Sequence, residues 1–227
     1  MKNHNIKQAL VAEFMGSLFL LLIVNGVVMM FPSAFAGSAV ITSAIAVPAI
    51  LFVIIELFGP ISGAHFNPLV TLIMFFEKKI TGLHSIQYVF VQILGGMIGI
   101  VISHLMFYHE SGGLFFISGV VRNDFTYFSE IIVTFMLILT ILILTKVKTD
   151  KASFIIPLLV GANILSTSST MFANPQVTLA RMFTHSLAGI RPIDGIIFIF
   201  MQVLGTLLAY FVYKLMFKQQ KLTSTCK

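Results

Sequence analysis

Two Asn-Pro pairs, Asn67-Pro68 and Asn174-Pro175, are the residues in this chain best suited to chemistry. Asparagine is among the best N-caps and proline is favoured at the first helical position, so each pair reads as a helix start. The amide oxygen can cap that helix while the NH2 group keeps donors for a passing molecule. A helix N-terminus carries roughly half a positive charge. Two such ends facing one lumen repel cations and offer sparse hydrogen bonds, which suits small uncharged hydroxylated solutes. One Asn-Pro pair would merely start a buried helix. Two copies in equivalent places predict a shared path.

The segments ahead of the pairs resist helix formation. The first is Gly59-Pro60-Ile61-Ser62-Gly63-Ala64-His65-Phe66, which predicts no continuous helix. The second holds the run Ser166-Thr167-Ser168-Ser169-Thr170. Non-helical backbone at membrane depth is tolerated only where protein buries it or where it lines a wet cavity.

The elements that must position these pairs are membrane spans. Of 227 residues, 58% are hydrophobic and 10% charged, with a mean hydropathy of +1.01. A soluble domain is about 25% charged, so an ordinary cytosolic enzyme and a disordered chain are both excluded. Six long apolar runs are present: Gln8–Phe31, Val40–Phe58, Ser85–Phe107, Phe125–Thr145, Phe154–Met171 and Gly195–Phe217. Each approaches the ~20 residues that a helical span requires. Asn67–Phe76 and Asn174–Thr184 cover only about half a bilayer at ~1.5 Å per residue. Ala34-Phe35-Ala36 looks like a cleavage site, but the apolar run before it exceeds a signal core of about 7–15 residues, so a retained helix is expected.

Charge sets the orientation. Lys2, Lys7, Lys78, Lys79, Lys146, Lys148, Lys151, Lys214, Lys218, Lys221 and Lys227 all fall on one side of a six-span chain. Arg122, Arg181 and Arg191 fall on the other. By the positive-inside rule both termini are cytoplasmic, and the expected location is the inner (cytoplasmic) membrane. The net charge of +6 comes from lysines flanking apolar runs, so no nucleic-acid partner is expected. Cys226, in the polar tail 218–227, supports neither a disulfide nor a prenylation box.

The two halves repeat. Val11-Ala12-Glu13-Phe14 corresponds to Phe128-Ser129-Glu130-Ile131, and Asn67-Pro68-Leu69-Val70-Thr71 to Asn174-Pro175-Gln176-Val177-Thr178. Phe90-Val91-Gln92-Ile93-Leu94-Gly95 corresponds to Phe200-Met201-Gln202-Val203-Leu204-Gly205. The spacing is nearly constant and the order is the same. Three spans per unit place the second unit upside down, and inverted repeats put a shared pathway near the midplane. One domain, 1–227, is expected, with units 8–107 and 125–217 joined by the linker 108–124.

These motifs resemble the aquaporin/glycerol-facilitator (major intrinsic protein) family over roughly residues 8–217. The resemblance rests on Ser62-Gly63-Ala64-His65-Phe66-Asn67-Pro68, Asn174-Pro175, Glu13 and Glu130. It implies an all-α membrane protein of six transmembrane helices and two re-entrant half-helices, with a pore in each subunit and usually a homotetramer. The third motif residue is usually alanine; here it is Leu69 and Gln176. Most members carry a filter arginine where this chain has Val177. The remaining filter positions fall at Val47, Ala162 and Met171 by ungapped offset. A filter of this composition is apolar and wide, which predicts passage of neutral solutes larger than water. The pattern around Val177 is similar to a bacterial subgroup sometimes linked to arsenic resistance, although Gln176 departs from it. Neutral As(OH)3 and methylated arsenicals join glycerol-like polyols and water as candidate solutes.

By the same resemblance Glu13 and Glu130 brace the re-entrant loops, in preference to a proton relay. His65 lines the pore or braces a loop; it has no second ligand at useful spacing, so neither a metal nor another cofactor is expected. Arg181 sits one turn past Val177. It either charges the outer vestibule or, as favoured, pairs with a loop residue such as Asp194 or caps carbonyls. Glu56 has no partner in the repeat and no assigned role. Gly95, Gly96, Gly99, Gly205 and Ala209 read as close helix contacts. The main competing reading is an ion-coupled secondary transporter, for which Glu56 is the one loose carboxylate. An intramembrane enzyme lacks a nucleophile–base pair, and no catalytic residue is expected.

Overall fold

The computed structural model describes residues 5–31 and 36–218. Lys2, His4, Ala34, Phe35, Lys221, Cys226 and Lys227 lie outside the described residues. Nine helices are described: α1 (Ile6–Met29), α2 (Ala36–Ser62), α3 (Pro68–Phe76), α4 (Gly82–Met106), α5 (Tyr108–Ser111), α6 (Asp124–Val147), α7 (Ala152–Ser166), α8 (Pro175–Arg181) and α9 (Pro192–Lys218). Polar caps mark where apolar runs begin. Asn5 accepts from the Lys7 N–H, Thr81 from that of His84 and Asn123 from that of Thr126. Each cap satisfies one of the donors that a helix start leaves free.

Most boundaries shift by a few residues from the sequence reading, and two shifts change the local structure expected. The first is α2, which runs through Gly59-Pro60 to Ser62. Proline removes one helical donor, but near a helix end this frees a single carbonyl and does not force a break. The break falls at Gly63, whose φ of 89° is left-handed. The second is α7, a helix of 15 residues. Five of the six long helices are long and apolar enough to cross a membrane; α7 is shorter. The backbone leaves the helix at Thr167 (φ −125°, ψ 145°), so the Ser/Thr run becomes loop.

Within each half a long pair packs closely: α1 on α4, and α6 on α9. Small residues permit the approach. A Cβ at Gly95 would overlap the carbonyl oxygen of Phe14, one at Gly99 that of Leu18, and one at Gly205 that of Ile131. Lipid is as apolar as leucine, so such contacts, rather than water exclusion, hold membrane helices together. Across the halves, α2 packs on α7, where Gly161 faces Ala44 and Pro48. The half-helices exchange partners: α3 touches α6 and α9 of the other half, and α8 touches α4 and α1. Outward faces carry exposed Phe90, Phe128, Phe200 and Phe211, as a lipid-facing surface requires. Glu56 is exposed on the outside of α2.

The far end of α3 is tied to α9. Glu77 accepts from Lys214 Nζ at 2.5 Å, Tyr210 Oη at 3.1 Å and Tyr213 Oη at 3.4 Å. Burial pushes the Glu77 carboxyl up, but the hydrogen bonds from Lys214, Tyr210 and Tyr213 outweigh it and hold it below its ordinary value.

Two expectations follow for stability in detergent. Gly95→Ala and Gly205→Ala should each cost about 1–3 kcal/mol in thermal unfolding. Gly119→Ala, with nothing within 4 Å of its Cβ, should be silent. A carboxyl with a lowered folded pKa contributes stability above its unfolded value and loses it as pH falls through the folded one. Wild type should therefore exceed Glu77→Gln by less than about 1 kcal/mol at neutral pH. That margin should disappear below the ordinary carboxylate range.

Candidate functional site

Both re-entrant loops use left-handed backbone at matching positions. Ala64 and Met171 have φ of 51° and 52°, and Phe66 and Ala173 have 45° and 48°. Such residues cost about 1–3 kcal/mol each and persist only where their surroundings over-determine them. The surroundings here are two fully buried carboxylates. Glu13 Oε1 accepts from Ser62 Oγ at 2.6 Å and from the His65 N–H at 2.9 Å. Its Oε2 accepts from the Phe66 N–H and from Gln92 Nε2, both at 2.8 Å. Glu130 does the same for the second loop, accepting from the N–H groups of Phe172 (3.0 Å) and Ala173 (2.9 Å) and from Gln202 Nε2 (2.7 Å).

The bracing continues to the asparagines. Gln92 and Gln202 also donate to Thr71 and Thr178, at 3.0 and 2.9 Å. Those hydroxyls donate to the backbone carbonyls of Asn67 and Asn174, at 3.2 and 3.0 Å. Each asparagine caps its half-helix: Asn67 Oδ1 accepts from the Leu69 N–H at 2.9 Å, and Asn174 Oδ1 from the Gln176 N–H at 3.1 Å. Each amide then reaches across the pseudo-two-fold. Asn67 Nδ2 donates to the Ala173 carbonyl at 2.9 Å, and Asn174 Nδ2 to that of Phe66 at 2.8 Å. An amide has two such hydrogens, so one per asparagine remains.

A cavity of about 400 Å³ runs past both asparagines. Its walls are largely aliphatic, with Val24, Val47, Leu51, Leu137, Val160 and Val177 among them. One end reaches Arg122, Arg181 and Ala188. The other end shares Ala64, His65, Val70 and Ile141 with a second cavity of about 740 Å³, which opens among Lys78, Lys79 and Lys148. The two cavities thus lie end to end between the arginine-bearing side and the lysine-bearing side.

The model of the major intrinsic proteins matches residues 1–173 of this chain. The chain belongs to the major intrinsic protein family. It is 34% identical over 211 residues to aquaglyceroporin AqpS of Rhizobium meliloti (strain 1021), covering 92% of this chain and 90% of that protein. It is 30% identical over 166 residues to the probable aquaporin PIP2-7 of Oryza sativa subsp. japonica, covering 69% of this chain and 57% of that one. The aquaglyceroporin of Plasmodium falciparum shares the fold at a TM-score of 0.72 and 17% identity, over 96% of this chain and all of that one. The chain is thus a multi-pass membrane protein of a channel family.

Within that fold the expected site residues divide. Asn67, Asn174, Val47, Met171, Val177, His65 and Arg181 line the first cavity. Ala162 does not; it is exposed on the outside of α7, while Val160 and Ile164 of the same helix face inward. Residues one turn apart share a face and Ala162 falls between them on the other side. Pro68, Leu69, Pro175 and Gln176 also lie off the cavity. Leu69 packs with Ile138, Leu142 and Tyr213. Gln176 is fully buried and donates from Nε2 to the Phe66 carbonyl at 3.1 Å, and it fills the space left by Gly96. Arg181 both lines the cavity and caps a carbonyl, that of Ala188, through Nε. It does not pair with Asp194, which takes Arg191 at 2.8 Å, Tyr127 at 2.9 Å and the Arg122 N–H at 2.9 Å.

Ser62, Thr71 and Thr178 stand in the sequence motifs but carried no bracing role there, while Ser169, Tyr88 and Phe198 were not singled out; Ser62 and Ser169, Thr71 and Thr178, and Tyr88 and Phe198 occupy equivalent places in the repeat. Arg122, in the linker, had no such signal. His65 Nδ1 lies 3.1 Å from Thr71 Oγ1. That hydroxyl already donates to Asn67, so the imidazole donates from Nδ1 and leaves Nε2 as an acceptor.

Glu130→Gln should remove one of the two acceptor oxygens that hold the second loop. Hydrogen bonds to a charged group contribute about 1.5–3 kcal/mol each, so the loss should be at least about 2 kcal/mol. Thermal unfolding in detergent measures it. Glu13→Gln should give a matching loss, and unequal responses would show that the two halves are not equivalently braced.

Proposed function

We propose that the chain is a passive channel for small uncharged solutes larger than water. The observation that carries this is Val177, where most family members place the filter arginine, standing in the cavity wall beside aliphatic neighbours. An arginine there would bring up to five donors and considerable bulk, whereas valine brings neither. The free N–H groups of Asn67 and Asn174 and the acceptor on His65 give a hydroxylated solute a few partners along an otherwise apolar tube. Glycerol-like polyols fit that description, as do water, As(OH)3 and methylated arsenicals. The name aquaglyceroporin, borne by the Rhizobium relative, belongs to the same solute class.

Ions are excluded on two grounds. The starts of α3 and α8 place positive dipole ends at the junction and oppose cations. The aliphatic walls offer no partners for a stripped ion, whose desolvation is very costly. Ion-coupled transport would need a titratable carboxylate at the cavity. Glu56, the candidate for that role, is exposed on the outside of α2, and Glu13 and Glu130 are engaged by the loops. The channel is one domain, 1–227, with both termini on the cytoplasmic side of the inner membrane, assembled as a homotetramer as the family pattern implies.

Proteoliposome swelling tests the reading. Wild type should admit glycerol and urea. Val177→Arg should slow glycerol by about tenfold, or ~1.4 kcal/mol on the barrier, with water flux less affected. Fast water flux with every solute excluded from wild type would overturn the proposal.

A further inference from the structure

Two guanidinium groups stand at the outer end of the first cavity, and neither forms an ion pair among the described residues. Arg181 is 7% exposed. Its Nε bonds the Ala188 carbonyl, and its side chain lies over the Phe172 ring with Cζ 3.5 Å from the centroid. Its two terminal nitrogens have no hydrogen-bond partner among the described residues, yet the residue lines the cavity. The Cζ of Arg122 lies 5.4 Å from the same centroid. Arg122 bonds the carbonyls of Gly189 (3.2 Å) and Leu187 (3.5 Å), and its buried Nε has no partner. Among the described residues the ion pairs are Arg191–Asp194 and Lys214–Glu77, and neither uses these two groups. The buried carboxylates Glu130 and Asp194 are engaged elsewhere: Glu130 by two loop N–H groups and Gln202, Asp194 by Arg191, Tyr127 and the backbone N–H of Arg122.

A buried charge is normally paired or fully hydrogen-bonded, because desolvating it alone is expensive. A guanidinium presents a planar fork that matches a carboxylate-like oxyanion through two parallel bonds. We propose that Arg181 and Arg122 form a binding site for a small monovalent oxyanion at the outer mouth of the tube. The anion stays there. Beyond Arg181 the wall is largely aliphatic, with Val177, Met171 and Val47, so an anion that moved inward would exchange two guanidinium forks for sparse hydrogen bonds. A bound oxyanion therefore plugs the path of neutral solutes instead of following them, so the site is inhibitory. The flux consequence rests on the channel reading; the binding does not.

The chain has three arginines, Arg122, Arg181 and Arg191. The 15N-arginine-labelled full chain in detergent therefore carries its own control, because Arg191 is already paired with Asp194. Titration with sodium formate in gluconate buffer should move the side-chain signals of Arg181 and Arg122 and leave that of Arg191 in place. Formamide, of the same shape without the charge, should move none. In proteoliposomes, formate outside should slow glycerol entry several-fold in wild type and leave Arg181→Gln unaffected. Arg122→Gln serves where Arg181→Gln does not fold. Signals that stay still, signals that all move together, or an equal response to formamide would overturn the site. Absent glycerol flux with intact formate shifts would sink the channel reading and leave the site standing.

Discussion

A chain that abandons the helix inside a bilayer must supply every partner its backbone loses, because lipid supplies none. In this protein that duty falls on two buried glutamates. Glu13 and Glu130 each gather two consecutive loop N–H groups and a glutamine amide. Through Gln92 and Gln202 the same network reaches Thr71 and Thr178 and then the asparagine backbones. Each carboxylate lies on the first helix of its unit and each glutamine on the last, so the loop is held by the pair that packs most closely. Small residues at Gly95 and Gly205 let that pair close up. Packing, bracing and capping are therefore one mechanism written twice.

The frame is nearly two-fold, and its departures from symmetry fall on the conduit and on the junction beside it. His65 and Phe172 occupy equivalent places. His65 packs on Tyr88 at the lysine-bearing end, while Phe172 packs on Phe198 and carries the two arginines. One end of the conduit thus has an acceptor ring and the other a face that holds cations by cation–π attraction. Leu69 and Gln176 form another unequal pair. Gln176 adds a second donor to the Phe66 carbonyl, which Asn174 already engages; Leu69 adds nothing to Ala173. The junction is consequently anchored more firmly from the second half-helix than from the first.

Much of this was legible in residue order. The repeat, the apolar runs, the charge asymmetry and the two Asn-Pro caps follow from local rules: a cap needs only its own next turn, and a span needs only length and hydropathy. The bracing role of Glu13 and Glu130 was implied by family resemblance alone; in the structure both accept from loop N–H groups. Register was harder. Ala162 lies on the outside of α7 because an ungapped offset ignores where that helix begins. The helix through Gly59-Pro60 was also missed, since local propensity overstates what one proline can break so close to a helix end.

What the sequence determined alone was where the long apolar helices and the two half-helices lie, since lipid imposes length and apolarity on each run separately. What tertiary structure decided was which side chains share a lumen. The asparagine amides bond carbonyls more than a hundred residues away, Gln176 turns into the space beside Gly96, and Arg122 meets Arg181 over one ring. Each depends on two elements approaching within a few ångströms, and helix packing sets that distance.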